Sequence, residues 1–176
     1  MEPFPPTSAA LEDPNGLLAV GGDLSAARLL EAYQRGIFPW YEPGEPILWW
    51  TPQPRAVLRP TEFHASKSLR KFLKTNAWQV EYDLRFEQVI DACAASSPGR
   101  EETWISDDMK AAYLELHRLG YAHSVEVIDN DRLIGGLYGV KLGKIFFGES
   151  MFSMTSNASK VALKALCELG LSLIHI

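Results

Sequence analysis

"AHSVEVIDNDRLIGGLYGVKLGKIFFGES", residues 122–150, decides the fold. Three runs rich in Val, Ile, Phe and Tyr are separated by Asn130-Asp131 and by Leu142-Gly143, pairs that suit tight turns. The spacing predicts three consecutive strands, 122–129, 132–140 and 144–150, folded as an antiparallel meander. Downstream, Ser156 or Asn157 is expected to cap a helix written "ASKVALKALCEL". Upstream, Ser106 with Asp107 and Asp108 opens "MKAAYLELHRLG", which Gly120 stops. Helices followed by a meander and then a helix make an α+β fold.

Further upstream the pattern stays regular as far as "TPQPRAVLRP". Phe86, Val89, Ile90 and Cys93 are spaced for a helix, "AWQVEYDL" reads as a strand, and Ser66 caps "KSLRKFLK". In that last helix Leu69, Phe72 and Leu73 are expected to face inward, with Lys67, Arg70, Lys71 and Lys74 outward. Residues 1–54 differ: they are rich in Pro, Gly and Trp, with one helix, "AARLLEAYQRG", capped by Asp23 or Ser25. The rest is expected to be packed loop. The sequence therefore predicts a small N-terminal domain, 1–54, ahead of a larger domain, 55–176.

At 176 residues, 47% hydrophobic and 22% charged, the chain suits one good core. No run reaches the roughly 18 apolar residues of a membrane span, and "MEPFPPTSAA" lacks the pattern of a secretory signal, so a cytoplasmic location is expected. Cys93 and Cys167 have no CxxC neighbour and read as reduced core residues; no metal is expected. The net charge of -5 argues against a nucleic-acid binder until its distribution is considered: residues 55–85 carry +4 and the remainder -9. A solvated surface helix is the plainer reading of that segment, and an RNA contact the sharper one.

Two clusters carry possible chemistry. "GIFPWYEPGEPILWWTPQPR" gathers Trp40, Trp49 and Trp50 among prolines, either a stiff plug or a platform on which a base stacks; Trp104 offers a second flat face. "KIFFGESMFSM" sets Glu149 among Phe146, Phe147, Met151, Phe152 and Met154. Alternate strand residues ordinarily fill a core. A carboxylate in such a run needs a cation, donated hydrogen bonds or a raised pKa, and at the rim of an apolar pocket it would suit an amino acid or a nucleoside. There is no Walker loop, GxGxxG, GxSxG or HExxH, and His64, His117 and His123 fall on different elements.

Three blocks together resemble the leucyl/phenylalanyl-tRNA-protein transferases of bacteria: "PNGLLAVGGDLSAARLLEAYQRGIFPWYEPGEPILWWTPQPRAVL", "TWISDDMKAAYLELHRLGYAHSVEV" and "LIGGLYGVKLGKIFFGESMFSMTSNASKVAL". The resemblance runs from Leu11 to about Leu169 in order. It implies a GNAT-like acyltransferase domain behind the small N-terminal domain. The activity implied is transfer of Leu or Phe, and Met less well, from aminoacyl-tRNA to the N-terminal Arg or Lys of acceptor proteins, which marks them for N-end rule degradation. The implied partners are aminoacyl-tRNA and such acceptor proteins, with no membrane, no cofactor and a monomeric chain. The alternatives are a non-catalytic tRNA-binding remnant of the family and a GNAT-type small-molecule N-acyltransferase. The latter would need a glycine-rich pyrophosphate loop after "KIFFGES", which is not there.

By the same resemblance, Trp40 and Trp104 match positions used around the donor's terminal adenosine. Leu137, Phe146, Met151 and Leu163 match the pocket for the Leu or Phe side chain, Leu137 standing where some members carry Met. Glu149 matches the polar residue at the mouth of that pocket, and Lys67, Arg70, Lys71 and Lys74 match the helix beneath the tRNA acceptor stem. The family's Asp-x-Gln element, usually assigned to activating the acceptor amine, is expected beyond Ile176; His175 and Ile176 do not match it, so no catalytic residue is assigned.

Overall fold

The computed structural model describes residues 3–95 and 103–174; the mismatch noted at His175 and Ile176 lies outside the described residues. They group into two compact units, which are not contiguous in sequence. The first takes Met1–Ala56, Ala94–Tyr121 and Val140–Phe147; the second takes Val57–Cys93, Ala122–Gly139 and Gly148–Ile176.

In the first unit, helix α1 (Ala26–Gln34) begins where the Ser25 hydroxyl accepts the Arg28 N–H, and Gly36 at φ +72° turns the chain away from it. The sequence predicts packed loop for the rest of residues 1–54; the structure instead has a three-stranded sheet. Strands β1 (Leu17–Val20), β2 (Phe38–Pro39) and β3 (Leu48–Trp50) pair antiparallel in the order β1-β3-β2. These strands are two to four residues long, too short to show any alternation, and prolines break the segment between them.

Trp49 is fully buried at the centre of that sheet, its indole N–H donated 2.8 Å to the Gly21 carbonyl. Arg28 is buried beside it, with its guanidinium 3.4 Å over the Phe4 ring and 3.1 Å from the Glu31 carboxylate. Helix α4 (Asp107–Arg118), capped by the Ser106 hydroxyl, packs on α1, and the buried Tyr33 and Tyr113 hydroxyls share a hydrogen bond of 2.5 Å.

The second unit holds helix α2 (Lys67–Thr75), strand β4 (Gln79–Tyr82), helix α3 (Phe86–Ala94), strand β5 (Ala122–Asp129) and helix α5 (Ala158–Ile174). It also holds most of strands β6 (Arg132–Leu142) and β7 (Ile145–Ser153). The four strands form one sheet in the order β4-β5-β6-β7, the predicted meander extended by β4, which pairs antiparallel with β5 from Gln79↔Ile128 to Tyr82↔Val125. The β5–β6 turn uses Asn130 and Asp131, both at positive φ. The second turn is shifted by one residue from its expected place, to Gly143-Lys144, with Gly143 at φ +58°.

Two glycines let helices close on β6. A Cβ on Gly135 would overlap Ala158, the first residue of α5, and one on Gly136 would meet the Val125 carbonyl at 2.7 Å and Val89 of α3 at 3.4 Å. The expected cap of α5 by Ser156 or Asn157 is replaced: the hydroxyl of Ser153, last residue of β7, accepts the Ser159 N–H at 3.3 Å. Among the described residues, no helix is long and apolar enough to cross a membrane.

Candidate functional site

In the first unit, Trp40 follows β2 directly. Its N–H is donated to the Leu48 carbonyl at 2.9 Å, and its carbonyl accepts the Trp50 indole N–H at 2.7 Å. The two rings meet edge-on, centroids 5.7 Å apart, and Trp40 remains 48% exposed. The prolines and Trp50 thus hold the Trp40 indole open, while Trp49 is the buried plug. Trp104 is half-buried just before α4, its carbonyl accepting the Ser106 N–H at 3.1 Å. Phe146 is half-buried near the start of β7.

In the second unit, Leu137 is interior to β6, at 3% exposure, and Leu163 is half-buried on α5. On β7, Phe152 is buried while Met151 is 46% exposed. Adjacent strand residues face opposite ways: Met151 shares its side of the strand with Glu149, and Phe152 belongs to the core.

Glu149 is half-buried, so its carboxylate keeps part of its water and costs less than the apolar run implied. Burial pushes the Tyr138 hydroxyl well above the ordinary phenol range, and the charge of Glu149 adds to the effect, which places the carboxylate within electrostatic reach of that ring.

On α2, Lys67, Arg70, Lys71 and Lys74 are all exposed, while Leu69 is buried and Phe72 packs edge-on to Trp78 at 4.9 Å. None of the four cations forms an ion pair among the described residues, in contrast to Arg28, Arg59, Arg85 and Arg118, each of which meets a carboxylate within 3.1 Å. A helix surface carrying four uncompensated charges is suited to a polyanion.

Sequence reasoning missed one group. Glu126, in the middle of β5, is 0% exposed; its Oε1 accepts the Ser124 hydroxyl at 2.5 Å and the Arg85 N–H at 3.4 Å. Burial pushes its pKa up, against these hydrogen bonds, which pull it down. Beside it Asp83, at φ +58°, accepts the Ser124 N–H at 2.8 Å and pairs with His123 Nδ1 at 2.7 Å, and Arg85 bridges to Glu81 at 3.1 Å. The signal was a Glu inside "VEVID", of the same kind as the Glu inside "FFGESMF". Among the described residues, no three His, Cys, Asp or Glu converge as metal ligands, and Cys93 and Cys167 are buried free thiols.

Comparison with known proteins adds ancestry to this geometry. The family model described as leucyl/phenylalanyl-tRNA protein transferase matches residues 57–172, and the model of its N-terminal domain matches residues 22–53. The leucyl/phenylalanyl-tRNA–protein transferase of Xanthomonas euvesicatoria pv. vesicatoria (strain 85-10) is 61% identical over 165 residues, 93% of this chain and 66% of the relative. That of Pseudomonas putida (strain W619) is 58% identical over 175 residues, 97% of this chain and 77% of the relative. That of Enterobacter sp. (strain 638) is 58% identical over 165 residues, covering 94% and 70%. The chain thus spans a little under two thirds of the length of the Xanthomonas relative.

Proposed function

The chain belongs to the leucyl/phenylalanyl-tRNA protein transferase family, and from that premise we propose that it binds the aminoacyl-tRNA donor in a transfer reaction. In that reaction Leu or Phe, and Met less well, passes from its tRNA to the N-terminal Arg or Lys of an acceptor protein in N-end rule degradation. The observation that carries the reading is the face of α2, where Lys67, Arg70, Lys71 and Lys74 stand exposed without a carboxylate partner among the described residues. Phosphates supply the missing anions.

Trp40 and Trp104 are assigned to the donor's terminal adenosine, since single-stranded ends are held by stacking and the open indole of Trp40 offers the surface. Leu137, Met151 and Leu163 are assigned to the Leu or Phe side chain, and Glu149 to the polar position at its mouth; Phe146, an odd number of residues from Met151 along β7, faces the other way and is left out of that assignment. The chemistry is aminolysis: the neutral α-amine attacks the ester carbonyl and the 3'-terminal ribose oxygen leaves with a proton. The ester is already activated, so positioning supplies much of the rate and no covalent enzyme intermediate is required. We assign no general base among residues 1–176.

The antiparallel sheet followed by α5 supports a GNAT-like architecture for residues 55–176, behind a small N-terminal domain of residues 1–54. The same reading makes the protein a cytoplasmic monomer.

The test is incubation with labelled Phe-tRNA and a peptide beginning with Arg. Label passing to the peptide supports transfer; tRNA retained without transfer assigns donor binding alone; no retention removes the reading. Arg70→Ala and Lys71→Ala should each lower the slope of log affinity against log salt by roughly one, leaving stability within about 0.5 kcal/mol.

A further inference from the structure

The groove where α2, β4 and α5 meet in the second unit takes no part in the assignments above. It holds about 160 Å³, room for roughly five waters and too little for a whole cofactor. Leu73 near the end of α2, Trp78 and Val80 around the start of β4, and Val161 and Ala165 on α5 give it apolar walls. Leu73, Trp78 and Val80 are only half-buried, so part of that apolar surface is left to water. The Trp78 ring is held in place: Phe72 packs edge-on against it at 4.9 Å, and its backbone N–H is donated to Asn76 Oδ1 at 2.7 Å. A fixed aromatic surface in a slot of this size suits a flat ligand.

Polar groups in the groove select the ligand's chemistry. Asn76 is one of the lining residues, and with its oxygen engaged by Trp78 its NH2 group makes no hydrogen bond among the described residues. The Trp78 indole N–H is likewise uncommitted among them. Both groups donate. Glu168 is the one acid among the described lining residues, and Lys164, a turn away on α5, bonds to it and offsets its charge. The groove therefore offers donors to acceptors that an aliphatic or phenyl side chain lacks and a nucleobase carries along its edge.

Charge complementarity extends the match. Arg70, three residues before Leu73, and Lys74, directly after it, share one flank of α2, and neither meets a carboxylate among the described residues. The exposed cations run from Lys67 to Lys74, roughly 10 Å of helix, enough for more than one phosphate of a strand. A slot for a base with a row of cations beside it fits a single strand. A paired stem keeps its bases stacked inside and presents phosphate alone.

We propose that this groove holds an unpaired nucleotide of an RNA strand, its base against Trp78 and Leu73, the Asn76 NH2 at the base's edge and the flanking phosphates on Arg70 and Lys74. The inference rests on the family reading for RNA as the partner, and on the groove for the nucleotide. It gives the protein a hold on single-stranded RNA that needs neither an aminoacyl group nor a 3' end.

The test measures the fluorescence anisotropy of two labelled RNAs with this chain: a short unstructured strand with a blocked 3' end, and a blunt duplex of equal phosphate number. The single strand should bind at least roughly tenfold more tightly. Trp78→Leu should remove that advantage and leave duplex binding unchanged, while Trp78→Phe, which keeps a ring, should retain most of it. Equal binding of the two RNAs, or an advantage that survives Trp78→Leu, overturns the proposal. An acidic peptide bearing one Phe that binds as tightly, with the same dependence on Trp78, overturns it too and makes the groove a protein-docking site. If urea midpoints show that Trp78→Leu disturbs the fold, photocrosslinking of a thiouridine-substituted strand to the wild type decides. Adducts within 73–80 or 161–168 support the site, and adducts confined to other segments remove it. Binding of Phe-tRNA measured in parallel separates the two readings. A chain that holds Phe-tRNA without preferring the single strand loses the groove alone. One that shows the Trp78-dependent preference but holds no Phe-tRNA keeps the groove and loses the donor site.

Discussion

β6 and β7 are neighbours in one hairpin, yet they are built for opposite purposes. From Ile134 to Gly139 every residue of β6 is buried, with Gly135 and Gly136 admitting Ala158 and the Val125 carbonyl where side chains would not fit. From Gly148 to Ser153, β7 buries only Phe152, and a Cβ on Gly148 would meet nothing within 4 Å. Two carboxylates of the sheet follow the same division. Glu126, on the far side of β6, is enclosed and hydrogen-bonded at once; Glu149, on β7, stands half open beside Met151. Closed strands fix the framework, and the strand left open is free to be read by a ligand.

Substitutions can break this contrast. Gly136→Ala should cost about 3 kcal/mol, because its neighbour at 2.7 Å is backbone and cannot rotate away, whereas Gly148→Ala should stay within about 0.5 kcal/mol in urea unfolding. Similar losses at both positions would end the distinction. Next in size, Glu126→Ala strips the acceptor from the Ser124 hydroxyl and the Arg85 N–H and should cost about 2 kcal/mol. Glu149→Gln should leave the urea midpoint nearly unchanged and weaken Phe-tRNA binding roughly tenfold, about 1.4 kcal/mol; a stability loss with intact binding would make Glu149 another framework group.

The smallest effect is in pH. Glu126 has a folded pKa above its ordinary 4.5, so between those two values the native state binds more protons than the unfolded chain. Stability should therefore fall as pH rises through that window, and Glu126→Gln should flatten the slope. Equal slopes in wild type and variant, followed by chemical denaturation across the acid range, would show that the enclosure of Glu126 has no consequence.

Legibility in the sequence divides along the same line. The meander, α1 to α5 and most of their caps follow from patterns several residues long: hydrophobic period, a Ser at the start, a Gly past the end. The first unit's sheet does not, because pairing of strands as short as Phe38–Pro39 is decided by what Trp49 packs against, a matter of distant residues such as Phe4 and Gly21. Trp40 and Trp50 are legible as a cluster, but which indole stays open depends on the bond from Trp50 to the Trp40 carbonyl. Glu126 was readable in principle, since a Glu between two valines carries the same warning as Glu149. The Phe and Met run around Glu149 suggests the rim of an apolar pocket, whereas a plain Val-Ile strand suggests only core. The groove beside Trp78 gave no signal, because its walls come from three separate elements.

The Ser153 hydroxyl that holds the first turn of α5 has a further consequence. It ties the registration of β7 to the start of a helix. Were β7 to slip by one residue against β6, Ser153 would swing to the opposite side, the Ser159 N–H would lose its acceptor, and Glu149 and Met151 would exchange sides with Ser150 and Phe152. One hydroxyl thus acts as a proofreader of strand alignment, penalising with the same broken bond any fold in which Glu149 points the wrong way.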